Sequence, residues 1–359
     1  MKTAIILGTR PEIVKCSPLI REFQKLNLNY FILHTGQHYS YNMDNVFFEQ
    51  LKLPQAKYNL DVGSSSNGKQ TGEMLIGIEK VLQKESPNVV LVQGDTNTVL
   101  AGAISAVKLK IKVGHIEAGL RSYDRSMPEE TNRVLTDHCS DFLFAPTEKS
   151  KRILLHEGIS GNRVFMVGNT VVDAVFQNMN IAESHKQLLS QLGIPADGYV
   201  LATSHRQENV DDKTRFSQLI RGLQLVQKEL GLPLIYPIHP RAKKQLELFG
   251  IDVSGLTLVE PLDYLAFLQL ESKAKLVLTD SGGVQEEACI LRVPCVTLRE
   301  NTERPETLDV GANMLAGTDP ERILEASKAM LSVERAWVNP FGDGTAGQRI
   351  IKILLDKLT

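Results

Sequence analysis

Apolar residues along this chain fall into short runs that alternate with longer stretches whose apolar positions recur every three or four residues. Runs at 3–7, 30–34, 88–93, 112–116, 142–145 and 164–167 are rich in Val, Ile, Leu and Phe and read as strands. The stretches 13–26 and 98–108 between them carry helical spacing. The second half repeats the plan, with strands expected at 199–203, 234–238, 256–259, 275–278 and 295–298 and a helix at 214–230. Such alternation predicts an α/β fold of two Rossmann-like domains, each a parallel sheet covered by helices on both faces. Ligands of such sheets sit beyond the carboxyl ends of the strands. The change of domain is expected at 170–185, where Gly168-Asn169-Thr170 ends a strand and the polar segment 178–192 follows. A second crossing is expected at the turn-rich Asn339-Pro340-Phe341-Gly342-Asp343-Gly344.

A length of 359 residues suits two domains. The net charge of −2 argues against a general nucleic-acid binder. No run approaches the ~18–20 apolar residues of a membrane helix. The opening run 4–7 is too short for a secretory signal, so a cytoplasmic location is expected. Cys16, Cys139, Cys289 and Cys295 form no CxxC pair and read as reduced, mostly buried thiols.

Absent motifs narrow the chemistry. The first strand–helix turn is not G-x-G-x-x-G, and no P-loop, C-x-x-C, H-E-x-x-H or G-x-S-x-G occurs. No dinucleotide, metal or other cofactor is therefore indicated. Two glycine-containing turns remain: Gly8-Thr9-Arg10-Pro11-Glu12 and Thr279-Asp280-Ser281-Gly282-Gly283. Each follows a strand and opens a helix, which points backbone N–H groups at an anion. Together they suggest two nucleotide-type domains facing one cleft.

Arg10 can fork onto a phosphate and Lys15 can add a point charge. Asp95, Glu117 and Glu129 stand at or near strand ends on one rim of the first sheet. Like charges gathered there would raise at least one pKa and suit acid–base work. Taken alone, Asp95 also reads as a helix cap. Glu130 and Arg133, three apart, read as a surface pair, which favours Glu129 for chemistry. In the second half His205 and Arg206 stand at a strand end, and His239 is a similar case. Ser281, Gly282 and Gly283 can cradle a diphosphate. Glu287 can accept from ribose hydroxyls, and Arg304 reads either as an anion contact or as an exposed loop arginine.

In order, Gly8-Thr9-Arg10-Pro11-Glu12, Gln93-Gly94-Asp95-Thr96, His115-Ile116-Glu117-Ala118-Gly119-Leu120-Arg121, Pro128-Glu129-Glu130-x-Asn132-Arg133, Gly168-Asn169-Thr170, His205-Arg206-x-Glu208-Asn209, Thr279-Asp280-Ser281-Gly282-Gly283-x-Gln285-Glu286-Glu287 and Thr302-Glu303-Arg304-Pro305-Glu306 span nearly the whole chain. This set resembles the non-hydrolysing UDP-N-acetylglucosamine 2-epimerase family. The resemblance implies the two-domain GT-B-type arrangement, with a UDP-sugar in the cleft between an acid/base domain, 1–172, and a UDP-binding domain, 173–344. The last helix, in 345–359, would pack back on the first domain. It implies an isomerase that interconverts UDP-GlcNAc and UDP-ManNAc for surface polysaccharide synthesis, as a homodimer without metal or nicotinamide. Arg10, Lys15, Asp95, Glu117, Glu129 and His205 would surround the sugar and diphosphate. Phe267 would lie by the uracil, and Ser281, Gly282, Gly283, Glu287 and Arg304 would hold the rest of UDP. Some members bind a second UDP-GlcNAc as an allosteric activator, and His38, Arg206 and His239 lie in regions that could serve it. Gln207 and Leu262 depart from the pattern of several members.

The C2 proton of such a sugar is not beside a carbonyl, so its removal requires UDP to leave C1 at the same time. Elimination gives 2-acetamidoglucal, and UDP then adds back after the proton returns to the other face. Asp95, Glu117 and Glu129 would share the proton work, and His205 would stabilise the diphosphate. Rival expectations are an epimerase of a modified UDP-HexNAc, a hydrolysing epimerase releasing ManNAc and UDP, a GT-B glycosyltransferase and a UDP-sugar sensor.

Overall fold

A computed structural model of the chain describes residues 1–37, 41–182, 193–194 and 198–358. His38 and most of the polar segment 178–192 thus lie outside the described residues. Two compact units make up the chain: Met1–Gln177 with Phe341–Thr359, and Asn178–Pro340.

The first unit is built on strands β1 (Lys2–Leu7), β2 (Asn29–His34), β3 (Tyr58–Asn59), β4 (Val89–Gln93), β5 (Lys112–Ile116), β6 (Phe142–Ala145) and β7 (Val164–Met166). They pair in parallel in the order β3-β2-β1-β4-β5-β6-β7. The central strand β4, Val-Val-Leu-Val-Gln, is buried along its whole length. Helices on both faces cover it, which is why its sequence is continuously apolar. Those helices include α1 (Arg10–Lys25), α2 (Tyr41–Gln50), α3 (Asn67–Glu85), α4 (Asn97–Lys108), α5 (Pro128–Cys139) and α6 (Glu148–His156), followed by α7 (Thr170–Ala182). The approach of α4 to the first turn depends on Gly8. A Cβ there would fall 2.0 Å from Thr35 Oγ1 and 2.4 Å from Thr98 Oγ1.

The second unit repeats the topology. Strands β8 (Val200–Thr203), β9 (Leu234–Pro237), β10 (Thr257–Val259), β11 (Leu276–Thr279), β12 (Cys295–Thr297) and β13 (Asn313–Leu315) lie parallel in the order β10-β9-β8-β11-β12-β13. The helices are α8 (Gln207–Val210), α9 (Lys213–Leu230), α10 (Pro240–Phe249), α11 (Tyr264–Lys273), α12 (Gly282–Ile290), α13 (Pro305–Asp309) and α14 (Pro320–Leu331). Phe216, Leu219, Ile220 and Leu223 of α9 pack with Ile323 of α14 in one buried cluster.

The chain returns to the first unit at Phe341. Its carbonyl accepts from Asn169 N–H at 2.8 Å. The last helix, α15 (Ala346–Leu358), packs on α1 through an apolar face that includes Ile350, Ile351 and Leu354. Its first turn is capped from outside: Asp173 accepts from the N–H groups of Ala346 and Gly347 at 3.1 and 2.9 Å. Burial raises the Asp173 carboxyl above its ordinary range, against the pull of these bonds.

In each unit the strand order reverses between two central neighbours, β1 and β4 in the first and β8 and β11 in the second. The loops leaving such a pair diverge to opposite faces and open a crevice. Both glycine turns singled out by sequence leave strands of these pairs.

Candidate active site

In the first unit, Thr9 caps α1 and Pro11 occupies its first turn, where a missing N–H costs nothing. The turn differs from the expected open anion cradle. The carboxylate of Glu12 fills it, its Oε2 accepting from Gly8 N–H at 2.6 Å and Thr9 N–H at 2.9 Å. Its Oε1 meets the Thr96 hydroxyl, at the start of α4. Arg10 lies with its guanidinium 5.1 Å from the centre of the Phe47 ring.

Lys15, read from sequence as a phosphate charge, extends to Glu117. Its Nζ lies 2.9 and 2.8 Å from the two carboxylate oxygens. Gln93, the last residue of β4, donates to Glu117 Oε2 as well. Glu117 follows β5 with φ +71°, in the left-handed region. A non-glycine residue there costs roughly 1–3 kcal/mol, which the surrounding bonds must offset. A buried network supplies some of them. His115 Nδ1 lies 2.7 Å from Asp137 Oδ1, Asp137 Oδ2 accepts from Gly119 N–H at 3.1 Å, and Arg121 pairs with both Asp137 and Glu157. His115 Nε2 reaches the Gly94 carbonyl at 2.8 Å. One network therefore grips the backbone just before Asp95 and just after Glu117. Burial alone would raise the Asp137 carboxyl, but His115 and Arg121 outweigh it and hold it below its ordinary range.

Asp95 does not cap α4; Thr96 does, accepting from Val99 N–H at 3.4 Å. Asp95 is instead gripped by Arg133, whose Nε and Nη2 lie 2.9 and 2.7 Å from Oδ2. Asn132 donates to the Asp95 carbonyl at 2.9 Å. Arg133 also reaches Glu130 at 2.7 Å, and Glu130 is only 5% exposed, so this pair is not the surface pair expected from its spacing. Glu130 accepts from the backbone N–H groups of Ser122 and Tyr123 and ties down the loop before α5. Burial pushes its carboxyl up, yet Ser122, Arg133 and Tyr123 bring it below its ordinary range. Glu129 stands in the first turn of α5 with an exposed side chain, and among the described residues nothing bonds its carboxylate. The acids thus form no bare like-charge cluster. Asp95 and Glu117 each hold a cation, and the carboxyl that burial raises beside them is Glu12, which sequence reading passed over.

In the second unit Asp280 holds the centre. Wholly buried at the end of β11, it accepts from Ser204 Oγ at 2.8 Å, from the N–H groups of His205 and Arg206 at 3.1 Å, and from Asn209 Nδ2 at 3.2 Å. His205 Nδ1 lies 3.2 Å from its other oxygen. The loop after β8 is thereby wrapped around one carboxylate. Next in sequence, Ser281 caps α12, and Gly282 and Gly283 lie in its first turn, where N–H groups have no intrahelical acceptor. Glu287 follows on the same helix. Arg304 is no exposed loop arginine: it stands at the start of α13 with its Nε 2.8 Å from Glu286. Arg206 lies 3.8 Å from Glu303.

A cavity of about 370 Å³ opens beside these turns within the second unit. Its lining includes His205, His239, Leu262, Phe267 and Ser281. Apolar walls with a few polar groups at one end suit a ring-bearing ligand with a charged tail. The His205 and His239 rings lie 5.8 Å apart, and partial burial together with His205 and Arg241 pushes His239 below its ordinary range. Among the described residues no group of three His, Cys, Asp or Glu is placed to hold a metal, and no helix is long and apolar enough to cross a membrane.

Capping signals could have found two of the missed residues. Thr9 and Glu12 have the three-residue spacing of a capping box. Asp280, an acid inside an anion-type turn, is the residue type that collects N–H donors itself. Arg133 was legible only through its spacing from Glu130; its grip on Asp95, 38 residues away, and the partners of Asp137 carry no local signal.

Two Rossmann-like units, each with polar and charged side chains gathered at its sheet's reversal point, define a nucleotide-binding type of α/β enzyme. The chain belongs to the UDP-N-acetylglucosamine 2-epimerase family, whose model matches residues 21–355. It is 56% identical to the UDP-N-acetylglucosamine 2-epimerase of Methanocaldococcus jannaschii, over 99% of each chain. A crystal structure of that species' UDP-GlcNAc 2-epimerase in complex with UDP-GlcNAc and UDP superposes with a TM-score of 0.89, covering 99% of this chain and 100% of the other. A UDP-2,3-diacetamido-2,3-dideoxy-D-glucuronate 2-epimerase of Pseudomonas aeruginosa is 40% identical over 99% of each chain.

Proposed function

We infer that the protein is a non-hydrolysing UDP-N-acetylglucosamine 2-epimerase, an isomerase that interconverts UDP-GlcNAc and UDP-ManNAc. The observation that carries this reading is the pair of cation-held carboxylates, Asp95 with Arg133 and Glu117 with Lys15, at the ends of the adjacent strands β4 and β5. Full-length identity of 56% to a relative of that name supports the choice of substrate.

The reaction follows from the chemistry of C2. A carboxylate of the first unit removes the C2 proton as the C1–O bond to UDP breaks, leaving 2-acetamidoglucal with its double bond between C1 and C2. Return of the proton on the opposite face and re-addition of UDP complete the inversion. Asp95, Glu117 and Glu129 are the proton-transfer candidates. A positioned acid or base contributes roughly 10²–10⁴-fold in rate. Arg10 and Lys15 supply positive charge as the diphosphate departs. The second unit supplies the anchor: Gly282 and Gly283 N–H groups, Ser281 and His205 for the diphosphate, Glu287 for the ribose, Phe267 for the uracil and Arg304 as a further cation. No cofactor enters this scheme. Four free cysteines fit a reducing, cytoplasmic setting. The same reading assigns the product to surface polysaccharide synthesis and the enzyme to a homodimer, which light scattering of the purified protein checks.

A second reading is an epimerase of a modified UDP-HexNAc, favoured by the 40% identical relative. Incubation with UDP-GlcNAc, without added metal or nicotinamide, separates the two. UDP-ManNAc as product supports the first reading. Turnover confined to a diacetamido-uronic acid substrate supports the second. Free ManNAc with UDP would contradict both.

A further inference from the structure

Glu12 is a buried carboxyl at the first unit's reversal point that the proton-transfer scheme leaves unused. It is 2% exposed and bridges two turns that leave neighbouring strands. On one side it accepts from Gly8 and Thr9 N–H, in the turn that introduces Arg10 and Lys15. On the other it meets the hydroxyl of Thr96, the residue directly after Asp95. Gly8 itself packs closely on Thr35 and Thr98, leaving no room for a side chain at this position.

We propose that Glu12 is a positioning residue for the reaction: its carboxyl clamps the turn carrying Arg10 and Lys15 to the turn carrying Asp95, and its protonation state sets how firmly the clamp holds. This rests on the reading that Asp95 takes part in proton transfer. When Glu12 is ionised, all three donors give charge-assisted hydrogen bonds, about twice as strong as neutral ones. When it is protonated, its own O–H must donate to Thr96 Oγ1, which already accepts from Val99 N–H. The bonds from Gly8 and Thr9 then lose their charge.

Burial raises the Glu12 carboxyl to about 7, with the bonds from Thr96, Gly8 and Thr9 pulling the other way. Both states therefore occur near neutral pH. The ionisable groups carried by the elements it joins are Arg10, Lys15 and Cys16 on its own helix and Asp95 in the β4–α4 turn, with Glu117 following the adjacent β5. Cys16, raised by its own burial, lies close enough for Glu12, Lys15 and Glu117 all to act on it. Lys15 pairs with Glu117 at 2.8 Å.

The experiment is a pH series from 5 to 9 on the parent enzyme and on Glu12→Gln, following the Gly8 and Thr9 amide resonances by NMR and kcat and KM with UDP-GlcNAc. Gln keeps the shape and mimics the protonated acid. The expected result is that both amides titrate together near pH 7 in the parent and not in the variant. At pH 8 kcat of the variant falls roughly tenfold, a modest share of what misplacing a reacting group costs, and KM changes less than twofold. The step in kcat near pH 7 disappears. Amides that do not titrate in the parent, or a variant with the parent's kcat profile, would overturn the proposal. Absence of turnover in the parent would remove the epimerase reading instead, and the parent amide titration would still decide whether Glu12 changes state.

Discussion

The two units share a strand order and a device, a buried carboxylate at the reversal point, but set it differently. Asp280 collects the Ser204 hydroxyl, the His205 and Arg206 N–H groups and the Asn209 amide, with His205 Nδ1 beside it. Burial would raise its carboxyl, yet His205, Ser204 and Arg206 outweigh burial and hold it below its ordinary range. Glu12, with three neutral donors, is raised to about 7. The count and charge of the donors decide the sign, because desolvation opposes ionisation in both. The second unit's turn is thus wrapped around a carboxylate that stays charged at neutral pH. On our proposal the first unit's turn responds to pH, and beside it stand the proton-transfer candidates Asp95 and Glu117.

If the division of labour is right, Glu117→Gln breaks chemistry without breaking anchorage. Its kcat should fall by about 10²–10⁴-fold, while the Kd for UDP, read by calorimetry, stays within about threefold of the parent. An equal loss in both would erase the distinction between the units.

The next largest effect concerns the anchor. Asp280→Asn removes a buried charge from donors that depend on it, and should cost about 2–4 kcal/mol of stability and weaken UDP binding. Thermal unfolding with and without UDP measures both. A variant as stable as the parent would mean the loop after β8 is held by something else.

A smaller effect sharpens the electrostatic contrast. Burial pushes Glu303 up, but the two-pronged bond to Arg299 more than cancels it and brings the carboxyl down to about 2. A depressed carboxyl stabilises the fold above its unfolded pKa, and that stability is lost as pH falls through the folded value. Glu303→Gln should therefore cost about 1–2 kcal/mol at pH 7, discounted for partial exposure. The gap should close as pH falls from about 4.5 toward 2. Urea melts at several pH values check it; a gap that widens in acid would reverse the assignment.

The reach of the sequence differed between fold and site for one physical reason, the range over which each is written. Strand–helix alternation is local, so the runs at 3–7, 112–116 and 142–145 fall within β1, β5 and β6. The missed strands were β3, two residues long, and β13, whose Asn313 looks like a loop residue because its amide is spent on Thr307 and Gln285. The run at 275–278 stopped one residue short because Thr279 ends β11 with its hydroxyl against Thr203. Candidate site residues could be picked by type and turn, but their partners could not. Lys15 and Glu117 stand 102 residues apart, Asp95 and Arg133 38 apart, and Ser204 and Asp280 76 apart. Without those pairings Lys15 reads as a phosphate charge, Asp95 as a cap and Glu130 as a surface acid.

The most direct test of the central claim, that carboxylates of the first unit exchange the C2 proton while UDP is detached from C1, is a double-label NMR experiment. UDP-GlcNAc carrying ¹⁸O in the bridge between C1 and the β-phosphorus is incubated with the enzyme in D2O. The account predicts that deuterium enters C2 of both epimers and that the bridging label scrambles into the non-bridging β-phosphate oxygens. Epimerisation with neither deuterium entry nor scrambling would contradict it, since the C2 hydrogen and the C1–O bond would then both have stayed in place.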